Sequence, residues 1–170
     1  MIRVISINII KFIFLVLIQI LILNPMDIGG VVHPMLYILF IITLPFETPK
    51  WLILVLGFSI GLIIDIFSNS LGIHAAASTL LAFSMPIVWR ILAPHDGYEI
   101  GDNPRIGSLG AKWFIQYILI LTFIHHTAFF FIEAFSMKFF FSTIWTSVLN
   151  TIFTVMLVIL SQLLVTKRNN

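Results

Sequence analysis

Among its 170 residues the sequence has no cysteine. That excludes disulfide staples, thiolate metal ligands, a thiol nucleophile and a lipidated N-terminal cysteine. Charge is almost as scarce. Asp, Glu, Lys and Arg make up 9% of the chain, against roughly a quarter in an ordinary soluble domain. This is too little polar side chain to cover a water-facing surface. No run of Lys and Arg is long enough for a nucleic-acid patch, and the net charge of +2 comes from residues at the edges of apolar runs. A nucleic-acid partner is therefore not expected. No soluble linker, low-complexity tract or clear internal repeat divides the sequence, so residues 1–170 read as one domain.

What remains is apolar. Hydrophobic residues are 60% of the chain and the mean hydropathy is +1.12. They come in runs of about spanning length, separated by short polar punctuation. Six runs emerge, at 4–23, 31–46, 51–67, 71–92, 113–135 and 143–165, with a polar loop over 93–112. The expected fold is all-α, a polytopic membrane bundle of six transmembrane helices. The first run follows Arg3 and includes Lys11, a basic-then-apolar pattern that signal peptides share. Asn24-Pro25-Met26-Asp27 then offers no small-x-small cleavage site, so a retained helix is expected.

The second run is short and bracketed by Pro34 and Pro45. As a helix it would reach roughly 24 Å, against a hydrocarbon core of roughly 30 Å. Charge argues that it crosses. With six spans, Arg3, Lys11, Lys50, Arg90, Arg105, Lys112, Lys167 and Arg168 share one side and Lys138 alone the other. That asymmetry is the positive-inside pattern with both termini cytoplasmic, and it collapses if the second run fails to cross. A multi-pass protein of a bacterial cytoplasmic membrane is expected.

Polar groups inside a bilayer need an explanation. Helical rise puts Asp65 roughly 21 Å above the cytoplasmic edge of the third run, and His125 and His126 roughly 18–20 Å up the fifth. His74, Asn150 and Gln19 fall at similar depth in the fourth, sixth and first runs. These six residues are candidate pocket-lining groups, in a tier in the outer half of the membrane. The competing reading is that they hydrogen-bond across the bundle and hold helices in register. His125 and His126 are adjacent, hence about 100° apart on a helix, and cannot both face one site. No His-Glu-x-x-His and no pair of His at i, i+4 occurs, so neither a metal nor another cofactor is expected.

Gly57-Phe58-Ser59-Ile60-Gly61 matches the G-x-S-x-G pattern of serine hydrolases. That pattern works on a strand–turn–helix elbow, whereas here it lies within an apolar helix. Gly57 and Gly61, at i, i+4, read instead as a helix-packing face, with Asp65 one step further along it. Gly72, ahead of Ala75-Ala76-Ala77-Ser78, is the third candidate packing glycine. Catalytic residues are not expected.

These residues carry a resemblance. The chain resembles the MreD family of bacterial rod shape-determining membrane proteins in its size, in Leu23-Asn24-Pro25 closing the first run, and in the Pro34–Pro45 second run. It also resembles the family in Gly57-x-x-x-Gly61-x-x-x-Asp65 followed by Leu71-Gly72 and a small-residue helix start. The resemblance covers essentially the whole chain. It implies a non-enzymatic subunit of the cell-elongation (Rod) complex that supports rod shape and peptidoglycan synthesis. It implies binding to the transmembrane helix of MreC and, through it, links to MreB, RodA and a penicillin-binding transpeptidase. The family fold is also similar to the S components of energy-coupling-factor transporters, which makes a small-solute-binding transport module with an outward pocket the alternative. Asp65 is the residue the resemblance would place in that pocket. The strongly polar stretch His95-Asp96-Gly97-Tyr98-Glu99 departs from the family pattern.

Overall fold

The computed structural model describes residues 2–26, 32–99 and 101–168, with side chains from residue 6 to residue 164. Among them the regular elements are helical: α1 (Ile2–Ile18), continued by one wide π-type turn (Gln19–Leu23), α2 (Ile38–Ile42), α3 (Lys50–Ser68), α4 (Ile73–Ile91), α5 (Ile106–Ala134) and α6 (Phe140–Arg168). Four are long and apolar enough to cross a membrane: α1 with its continuation, α3, α5 and α6. The fourth helix, α4, matches α3 in length but interrupts its apolar surface with His74, Thr79, Ser84 and Arg90. The chain is a helical membrane protein.

Local chemistry sets the helix ends. Pro49 precedes α3, where its missing N–H is harmless, and Asn69 closes α3 in the left-handed region at φ 53°. Gly72, at φ 87°, turns the chain into α4. Gly110 interrupts α5 at φ 81°, leaving a single turn from Ile106 ahead of the long apolar stretch. The fifth helix thus begins within the expected 93–112 loop.

Helices α3, α4, α5 and α6 pack in sequence order, each against the next. Contact between α3 and α4 is close because two glycines permit it. A Cβ on Gly61 would lie 2.5 Å from both the Ala75 Cα and the His74 carbonyl oxygen, and one on Gly57 would lie 2.9 Å from the Ala82 Cβ. Gly72 differs from its expected packing role. Nothing lies within 4 Å of the Cβ it lacks, so its contribution is the positive φ that starts α4.

The largest departure from expectation concerns residues 31–46. Hydropathy predicts a helix throughout, yet the segment is helical only at Ile38–Ile42. Pro34 supplies no N–H and biases His33 away from helical backbone, so the chain enters the bundle as irregular backbone. The predicted start at Val31 lies outside the described residues, as do the side chains of Arg3, Lys167 and Arg168. Tyr37, Ile38, Ile41 and Ile42 are fully buried, which makes this segment the axis of the fold. It lies along α5. Its Tyr37 meets His125 toward the C-terminal end of α5, and its Ile42 carbonyl accepts from Tyr117 nearer the start of that helix.

Candidate functional site at the polar end of the bundle

Asp65 is buried and faces the start of α4. Its Oδ1 accepts from the His74 backbone N–H at 3.0 Å and from the Ser70 hydroxyl at 2.6 Å. Its Oδ2 accepts from the Ala75 backbone N–H at 2.8 Å. The His74 Nδ1 lies 3.1 Å from Oδ1. A helix begins with N–H groups that have no intrahelical acceptor, and with the positive end of its dipole. Asp65 satisfies both needs from the neighbouring helix, clamping α3 to α4 where Gly61 brings them together.

The irregular backbone of 33–37 creates the second demand. An unpaired N–H or C=O at membrane depth costs several kcal/mol, so such backbone persists only where protein groups satisfy it. Two helices, α1 through its continuation and α6, supply those groups. Asn150 Oδ1, on α6, accepts from the His33 N–H at 2.6 Å, and Thr154 Oγ1 from the Met35 N–H at 3.2 Å. Gln19 serves twice, accepting from the Tyr37 N–H at 3.3 Å and donating to the Pro34 carbonyl at 3.0 Å. The π-type turn, closed by Asn24 N–H donating to the Gln19 carbonyl at 2.7 Å, re-aims this residue where a uniform helix would not.

The two histidines of α5 part company, as their 100° offset requires. His125 Nε2 and the Tyr37 hydroxyl are hydrogen-bonded at 2.8 Å, and that hydroxyl accepts from Ser78 of α4 at 3.2 Å. His125 Nδ1 is buried with no partner among the described residues. His126 points to α6: its Nδ1 lies 2.9 Å from the Thr122 carbonyl and its Nε2 3.4 Å from Thr154 Oγ1. All six tier residues therefore converge at one end of the bundle.

They do not all line a pocket. An open cleft of about 430 Å³ lies at this end, and of the six only Gln19 and His74 line it. Asp65, His125, His126 and Asn150 stand behind its wall, each engaged in the contacts described above. The remaining polar lining comes from Asn24, His33, Ser68 and Glu133, and His33 and Glu133 also border an adjoining cleft of about 300 Å³. Sequence reasoning missed these four. Asn24 was legible at the close of the first run, but nothing in the pattern shows that it shares a wall with Glu133. Among the described residues no three His, Asp or Glu converge to hold a metal ion.

Ser59 faces elsewhere. It lines a groove of about 450 Å³ with Ile9, Phe12, Phe40, Leu44 and Leu56, between α1 and α3. Among the described residues no hydrogen bond joins it to a histidine, so the G-x-S-x-G match has no base within reach.

The opposite end is aromatic. Tyr98, from the polar loop, stacks on Phe46 with ring centres 4.4 Å apart and donates to the Trp89 carbonyl at 2.7 Å. Partial burial raises its pKa above the ordinary tyrosine value, so the hydroxyl stays a donor at physiological pH. Trp113 stacks on Tyr117 at 4.8 Å and donates to the Leu92 carbonyl at 2.8 Å. Lys11 of α1 donates to Thr43, tying the first helix to the end of α2.

Comparison with protein-family models, curated proteins and solved structures finds no match to this chain.

Proposed function

We propose that the chain is a six-span assembly subunit of the bacterial cell-elongation machinery, of the kind the MreD family represents. In this reading it is not an enzyme. It docks the transmembrane helix of an MreC-type partner, and through that partner is linked to MreB, RodA and a penicillin-binding transpeptidase in the cytoplasmic membrane.

The observation that carries the reading is the groove beside α1. Its lining is almost wholly apolar, with Phe12 and Phe40 on its walls and Ser59 among its few small polar groups. Association between helices in lipid depends on close packing against such surfaces. The buried polar groups add support from the other side. Asp65, His125, His126 and Asn150 are engaged in holding the bundle together, as an architectural subunit would use them.

The path of residues 32–46 supports the six-span reading: His33 lies at the polar end and Phe46 among the rings of the aromatic end. Extended backbone rises about 3.3 Å per residue against about 1.5 Å in a helix. A segment too short to cross as a continuous helix reaches further when residues 33–35 are not helical. With this crossing, both termini fall on the side that carries Lys11, Lys50, Arg90 and Arg105.

Co-purification with the cognate MreC-type protein in mild detergent tests the reading. A stoichiometric complex is expected, and Ser59→Trp, which fills the groove, should abolish it while leaving the variant's own yield unchanged. Absence of a complex with the wild-type chain would remove the proposal. The second reading, a small-solute-binding module, is favoured by one observation, the polar lining of the cleft by Gln19, Asn24, His33, His74 and Glu133. Retention of a small molecule there by the purified chain, with no partner complex, would decide for it.

A further inference from the structure

A separate cleft of about 520 Å³ opens at the aromatic end, between the start of α3 and the end of α4. Its lining combines Trp89, Phe46 and Tyr98 with Lys50 and Arg90. The aromatic part is built rather than incidental. Phe46 meets Trp89 edge to face at 5.0 Å and stacks on Tyr98, while the Tyr98 hydroxyl is anchored on the Trp89 carbonyl.

The two cations are exposed, and among the described residues neither forms an ion pair. Arg90 uses Nε on the Pro86 carbonyl at 3.4 Å. No carboxylate lines the cleft. Lys50 also opens α3, so the positive end of that helix dipole adds to the field. Two unpaired cations on a concave wall with no acid form a site for an anion.

Location narrows the anion. Lys50 begins a helix that is apolar from Trp51 onward, and Trp51 beside it is exposed. Tryptophan and basic residues at the end of an apolar span mark the headgroup level of a bilayer. Phosphate is the anion concentrated at that level. We propose that this cleft binds the phosphate of an anionic phospholipid between Lys50 and Arg90, with the lipid backbone against the Trp89–Tyr98 wall. The site adjoins the partner groove, with which it shares Thr48, and the proposal holds whichever side of the membrane it faces.

Native mass spectrometry and thermal unfolding of the full chain in nanodiscs test it, using phosphatidylcholine with and without phosphatidylglycerol. The wild-type chain should retain phosphatidylglycerol in preference to phosphatidylcholine and unfold at higher temperature when it is present. The double variant Lys50→Gln, Arg90→Gln should lose that preference by roughly tenfold or more. Lys138→Gln, which removes a charge at the opposite end, should not. All three altered residues are exposed, so circular dichroism should match wild type. Equal retention by the wild type and the double variant would overturn the proposal, as would an equal loss in Lys138→Gln. Inorganic phosphate added to phosphatidylcholine discs supplies the remaining arm. If it raises the unfolding temperature as far as phosphatidylglycerol does, the ligand is a soluble phosphate and the lipid assignment fails.

Discussion

At one end of the bundle, Gln19, Asn150 and Thr154 reach from α1 and α6 to pair the backbone of residues 33–37, while Asp65 pairs the first turn of α4. At the other end, Phe46, Trp89, Tyr98, Trp113 and Tyr117 pack ring against ring. The difference follows from what each end must satisfy. Irregular backbone and a buried helix start leave N–H groups inside an apolar medium, where only protein side chains can serve them. At the aromatic end the polar loop emerges toward water, and rings with one polar edge suit such a boundary. Removing a polar atom should accordingly cost more at the first end than at the second.

The largest effect is expected at Asp65. Asp65→Ala leaves the Ser70 hydroxyl, the His74 imidazole and two backbone N–H groups without their acceptor. Leaving a buried donor without its acceptor costs about 1–3 kcal/mol, and two backbone N–H groups lose theirs here. The thermal midpoint of the variant in detergent should fall sharply, yet membrane insertion should persist because α3 remains apolar. A variant with wild-type midpoint and wild-type yield would show that Asp65 does not clamp the two helices. Gly61→Ala should come next, at about 1–3 kcal/mol, because its Cβ meets backbone atoms at 2.5 Å that cannot move aside. Gly72→Ala has open space around it and should lose only about 1 kcal/mol, through its left-handed backbone. Equal effects at Gly61 and Gly72 would refute the distinction between a packing and a conformational glycine.

Much of this was legible in the residues, and what was missed has a common cause. The small-residue spacing Gly57–Gly61 marked the α3 face that meets α4, since i, i+4 spacing alone determines that face. Adjacency alone required His125 and His126 to diverge. Helical rise, another local quantity, placed six polar residues in one tier. The partners of those residues were beyond such reasoning. Asp65 serves backbone N–H groups, which carry no sequence signature, and Asn150 and Thr154 serve residues 117 and 119 positions away. The same holds for the irregular 33–37 segment: Pro34 warned of a break, but its stability depends on acceptors from distant helices. The cleft wall formed by His33 and Glu133 is likewise a product of three-dimensional packing.

The closest comparison of the two ends is between two tyrosines that differ in what their hydroxyls hold. Tyr37→Phe removes the hydroxyl that bonds His125 Nε2 and accepts from Ser78. Because His125 Nδ1 already has no partner among the described residues, the imidazole would keep neither bond in a fully buried site. Hydrogen bonds within membrane bundles average about 0.6 kcal/mol and reach about 1.7, and this one should sit at the upper end. Tyr98→Phe removes the hydroxyl that donates to the Trp89 carbonyl but keeps the stack on Phe46, and the half-buried loop lets water take over that carbonyl. Its loss should stay below about 0.5 kcal/mol. Thermal midpoints of the two variants, measured side by side in the same detergent, should therefore rank wild type near Tyr98→Phe, with Tyr37→Phe clearly lower. The reverse order would mean that the aromatic end holds the fold through its polar atoms too, and the contrast between the two ends would have to be given up.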